Sequence, residues 1–307
     1  MNELLKLAVF ARIDEYAGAW LMSPSHFASI VQSGKLIDMR QHIVDGREPM
    51  AVVEKVAAAG GKTIALVRLQ GVLMKGRSWM GGTSTIEARR EIRNAASDSG
   101  VDGIMLAIDS PGGTVAGTSD LASEISAAAK IKPVYAHIDD LGASAAYWAA
   151  SQAERITANS PTALIGSIGT VQVVYDQSQA FANEGIKTFL FATGPLKGMG
   201  APGMPITEQQ SAHMQGVIDS VQTAFDAGVK KGRNLSAAEL NAVRHGGVFT
   251  ASEAMDAKLI DAIQPLSKSI NDMARSLSSN SKQRANVKTF QMIQHGGLPS
   301  LLVSQAS

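Results

Sequence analysis

From Lys62 onward, short β-branched or apolar runs alternate with stretches of helical period. No other feature of the 307-residue chain constrains its fold as strongly. Strand-like runs fall at Thr63–Leu69, Gly103–Asp109, Pro133–Ile138, Arg155–Ala158 and Lys187–Phe191, and helical stretches at Ser84–Ser97, Thr118–Lys130, Ser144–Ser151 and Asp176–Glu184. A strand followed by a crossover helix, repeated, predicts an α/β fold with a mainly parallel sheet. Residues 1–55 read as an N-terminal arm with amphipathic helices near Glu3–Tyr16 and Ser25–Ser33. After Pro205 the chain is mainly helical. Thr207 caps a helix, reinforced by Gln210 three residues on, that runs to about Lys231, and a second helix begins near Ser236. Beyond Pro265 the composition turns to Ser, Asn, Gln and Lys, with one helix near Ile270–Leu277 and a tail expected to be mobile from 278 to 307. The expected division is an arm (1–55), a central domain (56–265) and a partly disordered C-terminal tail (266–307).

Hydrophobic residues make up 45% of the chain, enough to bury a core. Twenty-eight basic residues against 27 acidic leave a net charge of +1, which offers no field to recruit nucleic acid or an anionic membrane. The absence of cysteine removes disulfides, thiolate metal sites and a cysteine nucleophile together, so covalent chemistry must come from an oxygen or an amine. Lys6, Arg12, Asp14 and Glu15 interrupt the N-terminal apolar residues, so no signal peptide or membrane span is read there, and the expectation is a soluble cytoplasmic protein. No metal or other cofactor is expected.

Two glycine-rich turns follow strands. In Asp109-Ser110-Pro111-Gly112-Gly113-Thr114 the adjacent glycines let the backbone turn sharply and aim amide N–H groups into a cleft at the carboxyl edge of the sheet, a geometry suited to a phosphate or an oxyanion. In Leu141-Gly142-Ala143-Ser144-Ala145-Ala146-Tyr147-Trp148 a serine surrounded by small residues opens a helix. It reads either as a plain N-cap or as a nucleophile with free N–H groups beside it.

A serine nucleophile requires a base. The six histidines, His26, His42, His137, His213, His245 and His295, define no Ser-His-Asp arrangement, and His137 lies inside a strand. Lysine is the other candidate: Thr193-Gly194-Pro195-Leu196-Lys197-Gly198-Met199-Gly200 sets one in an apolar, glycine-rich loop. Burial there would have to lower its pKa from about 10.4 for it to act as a base; otherwise it is a solvated surface charge.

In this order the motifs Asp109-Ser110-Pro111-Gly112-Gly113, Ala143-Ser144-Ala145-Ala146-Tyr147-Trp148, Gly166-Ser167-Ile168-Gly169 and Gly194-Pro195-Leu196-Lys197 resemble those of the signal peptide peptidase A family, the S49 serine peptidases. The phage head-maturation branch is the nearer match, over roughly 62–262. The resemblance implies a Clp protease/crotonase-like spiral of ββα units with a helical C-terminal region. It implies Ser144 as nucleophile, Lys197 as general base 53 residues on, and Ser167 as a hydrogen-bond partner of the lysine. The oxyanion hole would be built from backbone N–H groups at Gly112, Gly113 and Ala145. It further implies protein substrates (scaffold, capsid or portal proteins), a homo-oligomer, and a site of action in the host cytoplasm or procapsid interior. The region from Arg244 to Asp261 would form a cap and oligomer contact. Alternative readings are a signal-peptide-degrading peptidase of the same family, a crotonase-type acyl-CoA enzyme, and a non-catalytic shell component.

Overall fold

A computed structural model of the chain describes residues 19–23, 53–76 and 82–279. The helices expected at Glu3–Tyr16 and Ser25–Ser33, and the tail beyond 279, lie outside the described residues. The elements run, in order, β1 (Trp20–Met22), β2 (Val53–Ala58), β3 (Lys62–Gln70), β4 (Leu73–Met74), β5 (Thr83–Ser84) and α1 (Thr85–Ser97). There follow β6 (Gly103–Ser110), β7 (Gly112–Thr114), α2 (Thr118–Ala129), β8 (Val134–Ala143), α3 (Ala145–Ala150), β9 (Arg155–Ala158) and β10 (Leu164–Gly166). The C-terminal part holds α4 (Ser178–Asn183), α5 (Glu208–Arg233), α6 (Ala237–Val243), β11 (Val248–Thr250), α7 (Ala251–Asp256), β12 (Ala262–Ile263) and α8, helical over 266–279.

An eight-stranded sheet has the order β11-β10-β8-β6-β3-β2, with β9 beside β8 and β12 beside β9. Its central pairs, β3 with β6, β6 with β8 and β8 with β10, are parallel, while β2 and β11 close the edges antiparallel. A second sheet runs β1-β7-β4-β5. The chain therefore passes from a strand of the large sheet to the small sheet and then to a helix, first in β3-β4-β5-α1 and again in β6-β7-α2. This is the ββα repeat that the family resemblance implies.

Strand period 2 explains the core. Ala65, Val67 and Leu69 of β3, with Ile104, Leu106 and Ile108 of β6, face α1, α2 and α3, where Ile92, Leu121, Ile125 and Tyr147 meet them. The intervening residues Ile64, Leu66 and Met105 face the other way, onto Ile270 and Met273 of α8. Strands covered on both faces carry near-continuous apolar runs, which is why they stand out in the sequence. The helix expected near Ile270–Leu277 is present, begins at 266, and packs against the sheet.

Helix starts follow the capping chemistry. Thr207 with Gln210, and Ser236 with Glu239, form reciprocal capping boxes at the heads of α5 and α6. The run Lys187–Phe191, expected as a strand, is not one: no sheet edge pairs it, and Phe189 and Phe191 project into solvent. Among the described residues no helix is long and apolar enough to cross a membrane.

Candidate active site

Ser144 sits where β8 gives way to α3. The β8–β10 ladder, with Ala143 opposite Gly166, holds the chain before it, and the Ser144 N–H donates to Gly166 O at 2.7 Å. Behind it, Trp148 N–H donates to Ser144 O at 2.9 Å and begins the helix. Between these anchors Ser144 adopts φ 55° and ψ −117°, a conformation hostile to a residue with a Cβ and costing about 1–3 kcal/mol. The side chain is fully buried, and its Oγ points toward Gly169 O at 3.4 Å, too long for a strong bond. The hydroxyl is thus not committed to capping its own helix, the role a Ser at this position usually takes.

Two small-residue turns close around it. Gly112 has φ 103°; a Cβ there would lie 2.0 Å from Leu21 O and 3.0 Å from Ala143 O, so only hydrogen fits. A Cβ on Gly113 would meet Leu73 O at 1.7 Å. The Gly112 N–H donates to Ser110 Oγ at 3.2 Å, and that hydroxyl donates onward to Gly71 O at 2.6 Å. Ala145 opens α3, so its N–H has no carbonyl partner within the helix.

Ser167, also at positive φ (49°), follows β10. Its N–H donates to Gly247 O at 2.7 Å and its Oγ to Gly246 O at 3.2 Å, while Gly246 N–H donates to Ile168 O at 3.1 Å. The 245–247 loop therefore clasps the segment that lies against Ser144. The resemblance places this loop in the cap; the adjacent glycines, Gly246 and Gly247, are the signal in the sequence for its approach to the site. Thr170 extends the clasp by donating to Gln222 Oε1, and Gln222 in turn donates to Asp226, the partner of Arg244 at 2.7 Å.

The helix behind the serine is anchored from below. Tyr147 OH donates to Leu259 O at 2.8 Å, and burial drives its phenol far above the usual range, so it stays a donor. Asp109, beside the glycine turn, is held above the ordinary carboxylate range by burial first and then by Asp139 and Asp140.

The fold brings Ser144, Ser167, Gly112, Gly113 and Ala145 together. It does not bring Lys197 into hydrogen-bonding contact with either serine: the residue is exposed, in a run of turns, and its side chain has no hydrogen bond or ion pair among the described residues. Nor do the described residues hold a cluster of three His, Asp or Glu able to bind a metal. One neighbour of the site was not expected: β1, from the arm, lies directly on Gly112–Thr114.

A serine at a strand-turn-helix junction beside a glycine turn, on a parallel sheet built from ββα units, is an arrangement that can serve acyl transfer. The profile of peptidase family S49 matches residues 126–280, and the chain belongs to this family. It is 31% identical over 278 residues to capsid assembly protease C of Escherichia phage lambda, covering 89% of this chain and 60% of that protein. It is 30% identical to protease 4 of Salmonella typhi, covering 68% of this chain and 34% of that one. It is 28% identical to the head-tail preconnector protein GP5 of Enterobacteria phage P21, covering 95% and 56%. The chain thus spans from a third to three fifths of these relatives. Among solved structures, an enoyl-CoA hydratase/isomerase family member aligns with TM-score 0.44 and 16% identity, covering 82% of this chain and 85% of that one.

Proposed function

We propose that the chain is a serine endopeptidase with a Ser144–Lys197 dyad, acting as a homo-oligomer on scaffold, capsid or portal proteins in the host cytoplasm or procapsid interior. The observation that carries the reading is the strained, buried conformation of Ser144, held between two anchors with its hydroxyl free of a capping role. Strain of this kind persists where surrounding structure enforces it, and it concentrates at catalytic turns. The capsid role draws on the similarity to the lambda and P21 proteins.

In this mechanism Ser144 Oγ attacks the scissile carbonyl while its proton passes to a neutral Lys197 Nζ. The tetrahedral oxyanion is held by backbone N–H groups at Gly112 or Gly113 and at Ala145. Collapse breaks the C–N bond, and the lysine returns its proton to the leaving amine. Water, deprotonated by the now neutral Lys197 Nζ, then attacks the acyl-enzyme, and the lysine returns that proton to Ser144 Oγ as the acyl–oxygen bond breaks and the product acid leaves. Ser167 steadies the lysine once Lys197 has closed on the site. Lys197 lies within 172–206, a segment carrying Val173, Tyr175, Ile186, Phe189, Leu190 and Phe191 exposed, and such apolar surface is what an oligomer contact would cover while folding the segment inward.

The purified 307-residue chain incubated with phage scaffold and capsid proteins should yield discrete cuts. Ser144→Ala and Lys197→Ala should each abolish them while leaving the circular dichroism spectrum and melting temperature close to those of the parent. Undiminished cutting by either variant refutes the dyad. Cutting of signal peptides, with capsid proteins left intact, supports instead a signal-peptide-degrading role.

A further inference from the structure

β1 occupies a slot with a hydrogen-bonding edge on either side. On one side Trp20 and Val171 exchange both backbone bonds, N–H to O at 2.8 Å and 3.0 Å. On the other, Val115 N–H donates to Ala19 O at 3.2 Å and Ser23 N–H to Pro111 O at 2.9 Å. In the same antiparallel register, Leu21 stands opposite Gly113 and Met22 opposite Gly112. Hydrogen-bonded pairs alternate along such a ladder, so Leu21–Gly113 is the bonded pair between those two ends. The Gly113 N–H, one of the donors the proposed mechanism offers the oxyanion, is thereby committed to Leu21 O. The peptide of Leu21 presses on Gly112, whose other neighbour is the Ala143 carbonyl immediately before Ser144.

An extended segment, paired on both edges and laid across the glycine amides beside the nucleophile, has the pose of a bound peptide. We propose that the slot between β7 and Val171 is the substrate-binding cleft and that β1 fills it as a built-in occupant, keeping the chain latent until a substrate strand displaces it. The inference rests on the serine-peptidase reading. It also names the substrate class: an extended apolar peptide. Trp20 and Met22 pack with Met74, Val72 and Val171 on one face of the strand, and Leu21 enters the main core on the other, so alternate positions of a displacing peptide would be read by different pockets. Full burial of Ser144 agrees with a covered site.

The test locks the strand in place. Trp20 and Thr114 form a non-bonded pair of the ladder, where Cα atoms are about 4.5 Å apart, a separation a disulfide can span. Because the chain has no cysteine of its own, Trp20→Cys with Thr114→Cys places a single bridge. The rate of covalent labelling by a fluorophosphonate is read on the oxidised and reduced forms of this full-length variant. Latency predicts labelling roughly tenfold or more slower when oxidised, since reactivity scales with the fraction of molecules in the open state. Equal rates would show that β1 need not leave, and would overturn the proposal. If the bridge does not form, Trp20→Ala loosens β1 without touching Leu21. It should label faster than the parent, and an unchanged rate in a folded variant also overturns latency. Failure of every form, parent included, to label while folded removes the nucleophile itself. That outcome refutes the peptidase reading and is distinguishable from a loss of latency alone.

Discussion

At the scale of single residues, Ser144 and Gly112 are opposite cases of backbone strain. Ser144 keeps a Cβ where the conformation disfavours one, whereas at Gly112 two carbonyls leave no room for any. Ser144→Gly should therefore raise stability by about 1 kcal/mol, the released strain less the extra freedom of glycine in the unfolded chain, while activity is lost. Gly112→Ala should lower it by roughly 2–4 kcal/mol, because the new methyl group meets backbone atoms that cannot give way. Denaturant midpoints of the two variants measured against the parent decide the point, and a stable Gly112→Ala would contradict the close approach of β1. Residue types and order made the serine and the glycine pair legible in the sequence, since Gly-Gly after a strand and Ser among alanines have few other uses together. Positive φ at Ser144 leaves no compositional trace, because it is imposed by the ladder before it and the helix behind it.

Among the elements, the packing of α8 on the sheet holds an acid-sensitive group. His137 of β8 is buried, its Nδ1 paired with Thr157 Oγ1 at 2.8 Å and near Ser269 Oγ of α8 at 3.4 Å, and its Nε2 is without a partner. Burial lowers its pKa to about 4, with the nearby Asp139 opposing the shift. Because the folded value lies below the unfolded one of about 6.5, the contribution to stability is complete above that value and is lost as the pH falls from 6.5 toward 4. At pH 5 the loss should be about 2 kcal/mol relative to pH 7. His137→Asn should flatten this slope, read from urea midpoints across the interval; an equally steep slope in the variant would assign the loss to other groups. Asp109 works in the opposite sense, gaining stability on protonation. The doubly covered strands and the capped helices could be read from the sequence, since β6 is a continuous apolar run and Thr207 and Ser236 each carry the matching residue three places on. The three-residue strands β1, β7, β10 and β11 could not, because pairing with distant partners defines them and period 2 does not show in so few residues. Lys187–Phe191 erred the other way, its apolar pattern lacking an edge to pair with.

For the whole molecule, the proposed mechanism requires Lys197 to approach the serine, and the exposed apolar surface of the segment that bears it gives the driving force for that movement. Phe189 and Phe191 are 77% and 94% exposed, on a segment with no sheet partner, while α5 projects Val217 at 44% exposure from its poorly covered N-terminal half. Burying a phenylalanine contributes about 1.5–3 kcal/mol, so a few such residues per subunit, repeated around a closed ring, are enough to drive association and order the segment that bears the lysine. Phe189→Asp with Phe191→Asp should then shift the protein to monomer in sedimentation velocity. The variant should lose peptide cleavage and keep the melting transition of the folded subunit, since neither side chain enters the core. A parent that is monomeric at every concentration, or a double variant that still assembles and cleaves, would separate the lysine from any subunit contact. Its closure would then have to be driven by the substrate strand alone.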